Sequence, residues 1–302
     1  MLDNVLLKKH LLPISVWCLV SLSSPAFASV TGANPSLANA DNAHSMFNLP
    51  PLSQADYQWI GAKIYQNECN SQSKNLTFWG EGEAFPSFGI GHFIWFPEGV
   101  NPPFNEIFPA MFEFVSKTVK PPAWLLKLDA LDAPWQTKKQ FEQAWSGSEL
   151  TQLRTWLEKT QAQQAQFIVA QFRARLESVL KTLPTSEQVF YKTRLAKLVG
   201  FKQGRFALID YVNFKGVGGN PKEQYQGQEW GLLSVLQAMD LTLEVGQKIG
   251  ETDYLNAFIN SAKGRLLLRT QLAPVERHEQ RWLKGWYKRL EDYQAPAFKR
   301  QD

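Results

Sequence analysis

The fold prediction depends most on residues 68 to 92, ECNSQSKNLTFWGEGEAFPSFGIGH. The segment starts with a carboxylate, continues through a polar stretch that holds Glu81 and Glu83, and ends in an aromatic run interrupted by Gly89 and Gly91. Aromatic and β-prone residues from 85 to 96, broken by glycine and closed by proline, predict a short hairpin or small sheet. The polar residues 69–83 before it predict a loop.

A helix is predicted immediately before this segment. Ser53 and Asp56 have the spacing of a capping box, in which each side chain accepts a hydrogen bond from the other's backbone amide. Apolar residues then recur along one face, so we expect a helix over 53–68 that ends at about Glu68.

Most of the remaining sequence has helical spacing of apolar residues. We predict an α+β fold that is mostly α, with a single small β-hairpin or sheet near the N-terminal lobe. The predicted helical ranges are 137–183, 186–199, 204–212, 230–239, 251–270 and 275–292.

The N-terminal end has the pattern of a secretory signal peptide, residues 1–28. Lys8 and Lys9 precede an apolar run too short for a comfortable membrane span, and Ala26-Phe27-Ala28 forms a small-x-small cleavage site. We therefore expect a periplasmic or secreted protein with no stable membrane insertion after cleavage. The Ser-, Ala- and Asn-rich residues 29–50 predict a flexible leader, followed by one domain over 51–295 and a tail over 296–302.

Composition argues against several classes of site. The formal charge of +4 on 302 residues is too small for a continuous basic stripe, so we expect no nucleic-acid partner. Only Cys18 and Cys69 are present, and Cys18 leaves with the signal peptide, so no internal disulfide remains. The four histidines are scattered, which predicts no metal site and no cofactor. The oligomeric state is not predicted.

Glu68, Glu81 and Glu83 together match the needs of glycoside hydrolysis. One carboxyl must donate a proton to the leaving oxygen, and a second must be ionised to activate water or shield positive charge. An apolar setting favours the protonated form, and a polar loop favours the ionised form. Glu68 ends an apolar helix, whereas Glu81 and Glu83 lie in a polar, Gly-containing stretch. These environments favour a protonated Glu68 and an ionised loop carboxylate, as the reaction requires. Either Glu81 or Glu83 is a candidate for the ionised carboxylate.

The order helix, Glu68, loop acid and Ser87-Phe88-Gly89-Ile90-Gly91-His92 resembles the opening of the phage-type lysozymes. The resemblance implies that Glu68 is the general acid and that Glu81 occupies the acidic loop position. It also implies that Ser87 replaces the threonine that places the attacking water. A weaker match over 207–216 ends in Asn213-Phe214-Lys215-Gly216. Residues 100–200 would then be a large, mostly helical insertion, and the implied substrate is peptidoglycan or a related polysaccharide.

Other functions are also compatible with this sequence. His92, Trp95 and Asn213 are candidate substrate-binding residues, although His92 could instead fix the hairpin and Asn213 could cap a helix. A lytic transglycosylase would need Glu68 and no second carboxylate. A lysozyme-like fold that only binds glycan or a partner would need neither. A cysteine peptidase using Cys69 with His92 or His278 is a further alternative, which the position of Cys69 just past a helix C-terminus disfavours.

Overall fold

The computed structural model describes residues 49–100, 105–220, 223–241 and 249–294. The predicted signal peptide, nearly all of the leader and the predicted tail lie outside these ranges. The helices are α1 (Gln54–Cys69), α2 (Phe108–Ser116), α3 (Lys138–Gln143), α4 (Ser148–Lys159), α5 (Gln161–Thr182), α6 (Thr185–Val199), α7 (Lys202–Lys215), α8 (Leu232–Ala238), α9 (Glu251–Leu272) and α10 (Leu283–Glu291). The strands are β1 (Thr77–Trp79), β2 (Pro86–Phe88), β3 (Phe93–Ile94), β4 (Gln224–Tyr225) and β5 (Gln228–Glu229). The protein is mostly helical with a small antiparallel sheet near its N-terminal end, as predicted. The second sheet, formed by β4 and β5, was not predicted.

Helix α1 begins and ends where its capping residues predict. The Ser53 hydroxyl accepts a hydrogen bond from the Asp56 amide at 3.1 Å, and the Asp56 carboxylate accepts one from the Ser53 amide at 3.0 Å. At the other end Asn70 is left-handed, with φ 51°, and its amide donates to the Gln66 carbonyl at 3.0 Å. These caps satisfy backbone groups that a helix leaves open at its ends. The predicted helix is therefore confirmed, with Glu68 in its last turn.

Strands β1, β2 and β3 form one antiparallel sheet in that order. The hairpin from β2 to β3 is confirmed, but β1 lies within the stretch predicted to be a loop. Three residues are too short for alternation of polar and apolar side chains to reveal a strand. The turn needs glycine at position 89, where φ is +74° and a Cβ would lie 2.4 Å from Oε1 of Gln164. That same oxygen accepts a hydrogen bond from the Ile90 amide at 2.9 Å, so the turn rests on α5.

Helix α5 is the central helix, in contact with α1, α2 and α7. Helix α1 approaches it closely at Gly61, where a Cβ would lie 2.7 Å from the Gln161 carbonyl oxygen. The hydroxyl of Tyr65 donates to Glu158 of α4, the helix just before α5, at 3.1 Å. Residues 105–200 are mostly helical. Since α5 lies within this range and supports both α1 and the hairpin, the range includes part of the central core.

Buried apolar side chains form one connected core that extends from Leu49 to Tyr293. Leu49 is 1% exposed, so packing already begins within the last residues of the predicted leader. In the part of the chain that the structure describes, no helix is long and apolar enough to cross a membrane.

The predicted helix over 275–292 is wrong in its first half. Two short 3-10 turns, Val275–Arg277 and Glu279–Trp282, precede α10. Between them His278 is left-handed with φ 48°, a conformation that interrupts a helix. Glu279 is thereby placed against Arg269, with Oε2 accepting from Nε at 2.7 Å in a buried ion pair. Apolar spacing alone does not reveal such an interruption.

Candidate active site

Glu68 is enclosed at the C-terminal end of α1. Its side chain is 4% exposed, and Oε1 lies 2.7 Å from Nη1 of Arg289 on α10, at ion-pair distance but without the alignment of a hydrogen bond. A buried carboxylate without a partner would be costly. The tertiary fold supplies that partner from the opposite end of the described chain.

Arg289 is shared between Glu68 and Asp210 of α7. Its Nε and Nη2 donate to the two Asp210 oxygens at 2.7 and 2.8 Å, and the Tyr293 hydroxyl donates to Asp210 at 2.7 Å. Burial alone would lower the pKa of Arg289, but the charges of Asp210 and Glu68 raise it well above its usual value. The forked bond commits most of the guanidinium to Asp210. Two carboxylates thus share one buried cation.

His92 lies on the other side of Glu68. Its Nε2 is 3.4 Å from the Glu68 backbone oxygen and 3.9 Å from Oε2 of the carboxylate. The His92 backbone is left-handed, with φ 47°, and its amide donates to the Gly89 carbonyl at 3.2 Å. The side chain is 30% exposed and packs edge-to-face on Phe78, with ring centroids 6.4 Å apart. His92 therefore lies between the enclosed carboxylate and solvent.

Glu83 is half-buried in the loop between β1 and β2. Its Oε2 accepts a hydrogen bond from the Gly80 amide at 3.0 Å, and its carbonyl accepts one from Nε1 of Trp79 at 2.8 Å. Burial raises the pKa of the Glu83 carboxyl, although the Gly80 amide and the charges of His92 and Lys138 act in the opposite direction. This carboxyl is thus fixed in place and within electrostatic reach of His92.

Glu81 occupies a different environment from Glu83. Its side chain is 85% exposed and forms an ion pair with Lys138 of α3. The hydrogen bond from Lys138 and its positive charge lower the pKa of Glu81. The structure therefore separates the two candidate partners: Glu83 is coupled to His92 beside Glu68, and Glu81 is a surface residue.

Ser87 and Asn213 have limited exposure. Ser87 is 9% exposed on β2, opposite Phe78 on one side and Ile94 on the other. Its hydroxyl forms no hydrogen bond with the residues that the structure describes. Asn213 is half-buried in the last turn of α7. It does not cap this helix, because α7 continues to Lys215 and Gly216 is the cap.

The prediction that Trp95 binds substrate is wrong. Its side chain is 0% exposed and stacks on Phe108, with ring centroids 4.3 Å apart. Its Nε1 donates to the Leu131 carbonyl at 2.8 Å, so the polar end of the ring is also satisfied internally. An aromatic residue in a short strand most often packs in the core, and Trp95 does.

Cys69 does not have the properties of a nucleophile. The free thiol is buried, and Sγ lies 3.6 Å from the Asn75 carbonyl oxygen, to which it donates. Burial, followed by the negative charge of Glu68, raises the pKa of Cys69 well above its usual value. A buried thiol that keeps its proton is a poor nucleophile. Among the described residues, no group of three His, Cys, Asp or Glu side chains could hold a metal ion.

Sequence reasoning did not identify Arg289 and Tyr293 as part of the site. Both lie near the end of the described chain, and an Arg and a Tyr on an amphipathic helix look like ordinary half-exposed residues. One sequence feature did point to a buried ion pair: Asp210 lies within the apolar run from 206 to 212, where a carboxylate requires a buried partner.

Comparison of this chain with models of protein families, with curated proteins and with solved structures finds no match.

Proposed function

We propose that this protein is an exported glycoside hydrolase of the lysozyme type, which cleaves peptidoglycan or a related glycan in the periplasm or outside the cell. The observation that carries the proposal is the enclosed carboxyl of Glu68, whose Oε2 lies 3.9 Å from Nε2 of His92, together with the half-buried carboxyl of Glu83 in the loop between β1 and β2. Paired carboxyl groups in unlike surroundings are the arrangement that general acid–base hydrolysis of a glycosidic bond requires.

Glu68 is the proposed acid. It shares Arg289 with Asp210, which takes both hydrogen bonds of the guanidinium fork. Transfer of the proton of Glu68 to the leaving oxygen leaves a carboxylate, which Arg289 stabilises at 2.7 Å.

Glu83 is the proposed partner carboxylate. Its Oε2 accepts a hydrogen bond from the Gly80 amide at 3.0 Å, and this bond and the charge of His92 favour the ionised form, although burial raises the pKa of the carboxyl. A fixed carboxylate can accept the proton of an attacking water or shield the positive charge that develops on the sugar. Glu81 is held by Lys138 on the surface and has no role in this mechanism.

The lysozyme-like fold is part of the proposal. A catalytic glutamate at a helix end, a small antiparallel sheet and a Gly-Ile-Gly-His turn on a long helix resemble the phage-type lysozymes. The signal-peptide pattern of residues 1–28 supports export, and export would bring the enzyme to its wall polymer.

The test compares the wild-type protein with Glu68→Gln, Glu83→Gln and the matched control Glu81→Gln on isolated peptidoglycan sacculi. Mass spectrometry identifies the soluble products, and circular dichroism confirms that each variant is folded. We expect reducing-end fragments from the wild type and a loss of about 10²-fold or more in Glu68→Gln and Glu83→Gln, the scale of general acid–base catalysis. Glu81→Gln should remain as active as the wild type.

Other outcomes would change the assignment. Anhydro products, with Glu83→Gln still active, would indicate a lytic transglycosylase that uses Glu68 alone. Binding to sacculi or chitin-type polymers without any released product would refute catalysis and indicate a glycan-binding protein. Equal loss of activity in Glu81→Gln and Glu83→Gln would contradict the distinction that we draw between them.

A further inference from the structure

Gln164 is a polar residue buried near the start of α5, behind the candidate site. It is 0% exposed, and its Oε1 accepts a hydrogen bond from the Ile90 amide at 2.9 Å. Its Nε2 donates to the Leu157 carbonyl at 2.6 Å and to the Thr160 hydroxyl at 3.0 Å. Burying an amide costs free energy that an apolar residue of the same volume would not incur. What Gln164 contributes at this position is therefore its hydrogen bonds.

The bond to Ile90 connects α5 to the turn formed by residues 89–92. The Gly89 amide donates to the Leu76 carbonyl at 2.8 Å, and the His92 amide donates to the Gly89 carbonyl at 3.2 Å. Between them Ile90 is 0% exposed, so its amide is shielded from water, and Gln164 supplies the acceptor. The turn is thus held from α5 at its buried residue.

The start of α5 also contacts the helix that carries Glu68. A Cβ on Gly61 of α1 would lie 2.7 Å from the carbonyl oxygen of Gln161, three residues before Gln164. On the turn, Nε2 of His92 lies 3.4 Å from the Glu68 backbone oxygen and 3.9 Å from Oε2. One end of α5 therefore supports both the helix with Glu68 and the turn with His92, and their separation depends on it.

We propose that Gln164 is a positioning residue of the active site, which fixes the turn that holds His92 beside Glu68. The inference rests on the proposed function and adds a residue to it. Without Gln164 the buried Ile90 amide loses its acceptor, and because an unsatisfied buried amide is costly, the turn moves until that amide finds another partner. His92, two residues further along, moves with it. A displacement of about 1 Å in a reacting geometry can lower a rate by about 10²-fold.

Two variants separate this role from a contribution to stability alone. Gln164→Met has a side chain of similar length and removes the acceptor for Ile90. The matched control Thr160→Val disrupts the same buried network but keeps that acceptor. It removes a hydroxyl that accepts from Gln164 and donates to the Trp156 carbonyl at 2.8 Å. Gln164→Asn, one methylene shorter than the native residue, is a less disruptive second variant with the same expected direction.

The experiment combines NMR with kinetics, at a temperature where circular dichroism shows each variant to be folded. Amide hydrogen exchange at Ile90 should be on the order of tenfold faster in Gln164→Met than in Thr160→Val, as for the loss of one hydrogen bond. The ¹⁵N signals of the His92 ring should shift in Gln164→Met and stay in place in Thr160→Val.

The kinetic measurement uses soluble glycan oligomers prepared from sacculi. Gln164→Met should lower kcat by about 10²-fold and leave KM near its wild-type value, because a misplaced site loses interactions of the transition state. Thr160→Val should keep the wild-type kcat.

Contrary results identify the step that fails. Wild-type exchange at Ile90 and wild-type His92 signals in Gln164→Met and Gln164→Asn would show that the turn does not depend on Gln164, and would overturn the proposal. Equal losses of kcat in Gln164→Met and Thr160→Val, or a shifted His92 signal with an unchanged kcat, would overturn it as well. If the wild-type protein cleaves no glycan, the proposed function fails, and the NMR data still show whether Gln164 holds the turn.

Discussion

Replacement of Arg289 by methionine should destabilise the fold strongly, because it leaves two carboxylates with no shared cation. Methionine keeps the apolar stem of the side chain and removes the guanidinium. Asp210 then loses two of the three hydrogen bonds that it receives from Arg289 and Tyr293. Among the residues that the structure describes, Glu68 keeps only His92 at ion-pair distance.

The size of the effect follows from burial. Asp210 is 0% exposed, Arg289 5% and Glu68 4%, so solvent does little to screen or replace the lost interactions. Removing one partner of a buried ion pair costs about 3–5 kcal/mol, mainly because the remaining charge is stranded. For a domain of this size that corresponds to a fall in Tm of about 10 °C.

Thermal and urea unfolding, followed by circular dichroism, would measure this loss against Arg277→Met. Arg277 lies 3.6 Å from Glu279 but is 53% exposed, so its loss should cost no more than about 1 kcal/mol. In the double variant Arg289→Met/Asp210→Asn one stranded charge is gone, and part of the stability should return. Equal stabilities of Arg289→Met and Arg277→Met would show that the buried network does not hold the site together.

Two further predictions concern the hairpin and the half-buried carboxyl of Glu223. In urea unfolding, Gly89→Ala should lower the free energy of unfolding by about 1–3 kcal/mol more than Gly82→Ala does. Both positions have positive φ, but only at Gly89 would the new Cβ meet Gln164. Equal losses of stability in the two variants would contradict this. Burial raises the pKa of Glu223 to about 7, so its contribution is present below its ordinary value of 4.5 and is lost as the pH rises through 7. Urea unfolding from about pH 4 to pH 8 should show Glu223→Gln losing less stability than the wild type, and parallel losses would refute this.

Several elements could be predicted from local sequence because their causes are local. Ser53 and Asp56 bond to each other's backbone, so the start of α1 depends on residues three positions apart. The hairpin around Gly89 needs a backbone conformation that glycine adopts readily. Strand β1 was not predicted, because three residues are too few for alternation to reveal a strand. The interruption at His278 was not predicted, because it places Glu279 in a buried ion pair with Arg269 from another helix.

The sequence by itself determined the helical character, the ends of α1 and the hairpin. It also identified Glu68 as a candidate site residue, because Glu68 ends a helix just before a polar loop. Only the tertiary structure distinguished the half-buried Glu83 from the exposed Glu81. It also placed Trp95 in the core and Arg289 beside Glu68. The physical reason is that propensity, capping and turn conformation act over a few residues. Burial and charge pairing depend instead on which distant segments meet, and they set the environment of each carboxyl group.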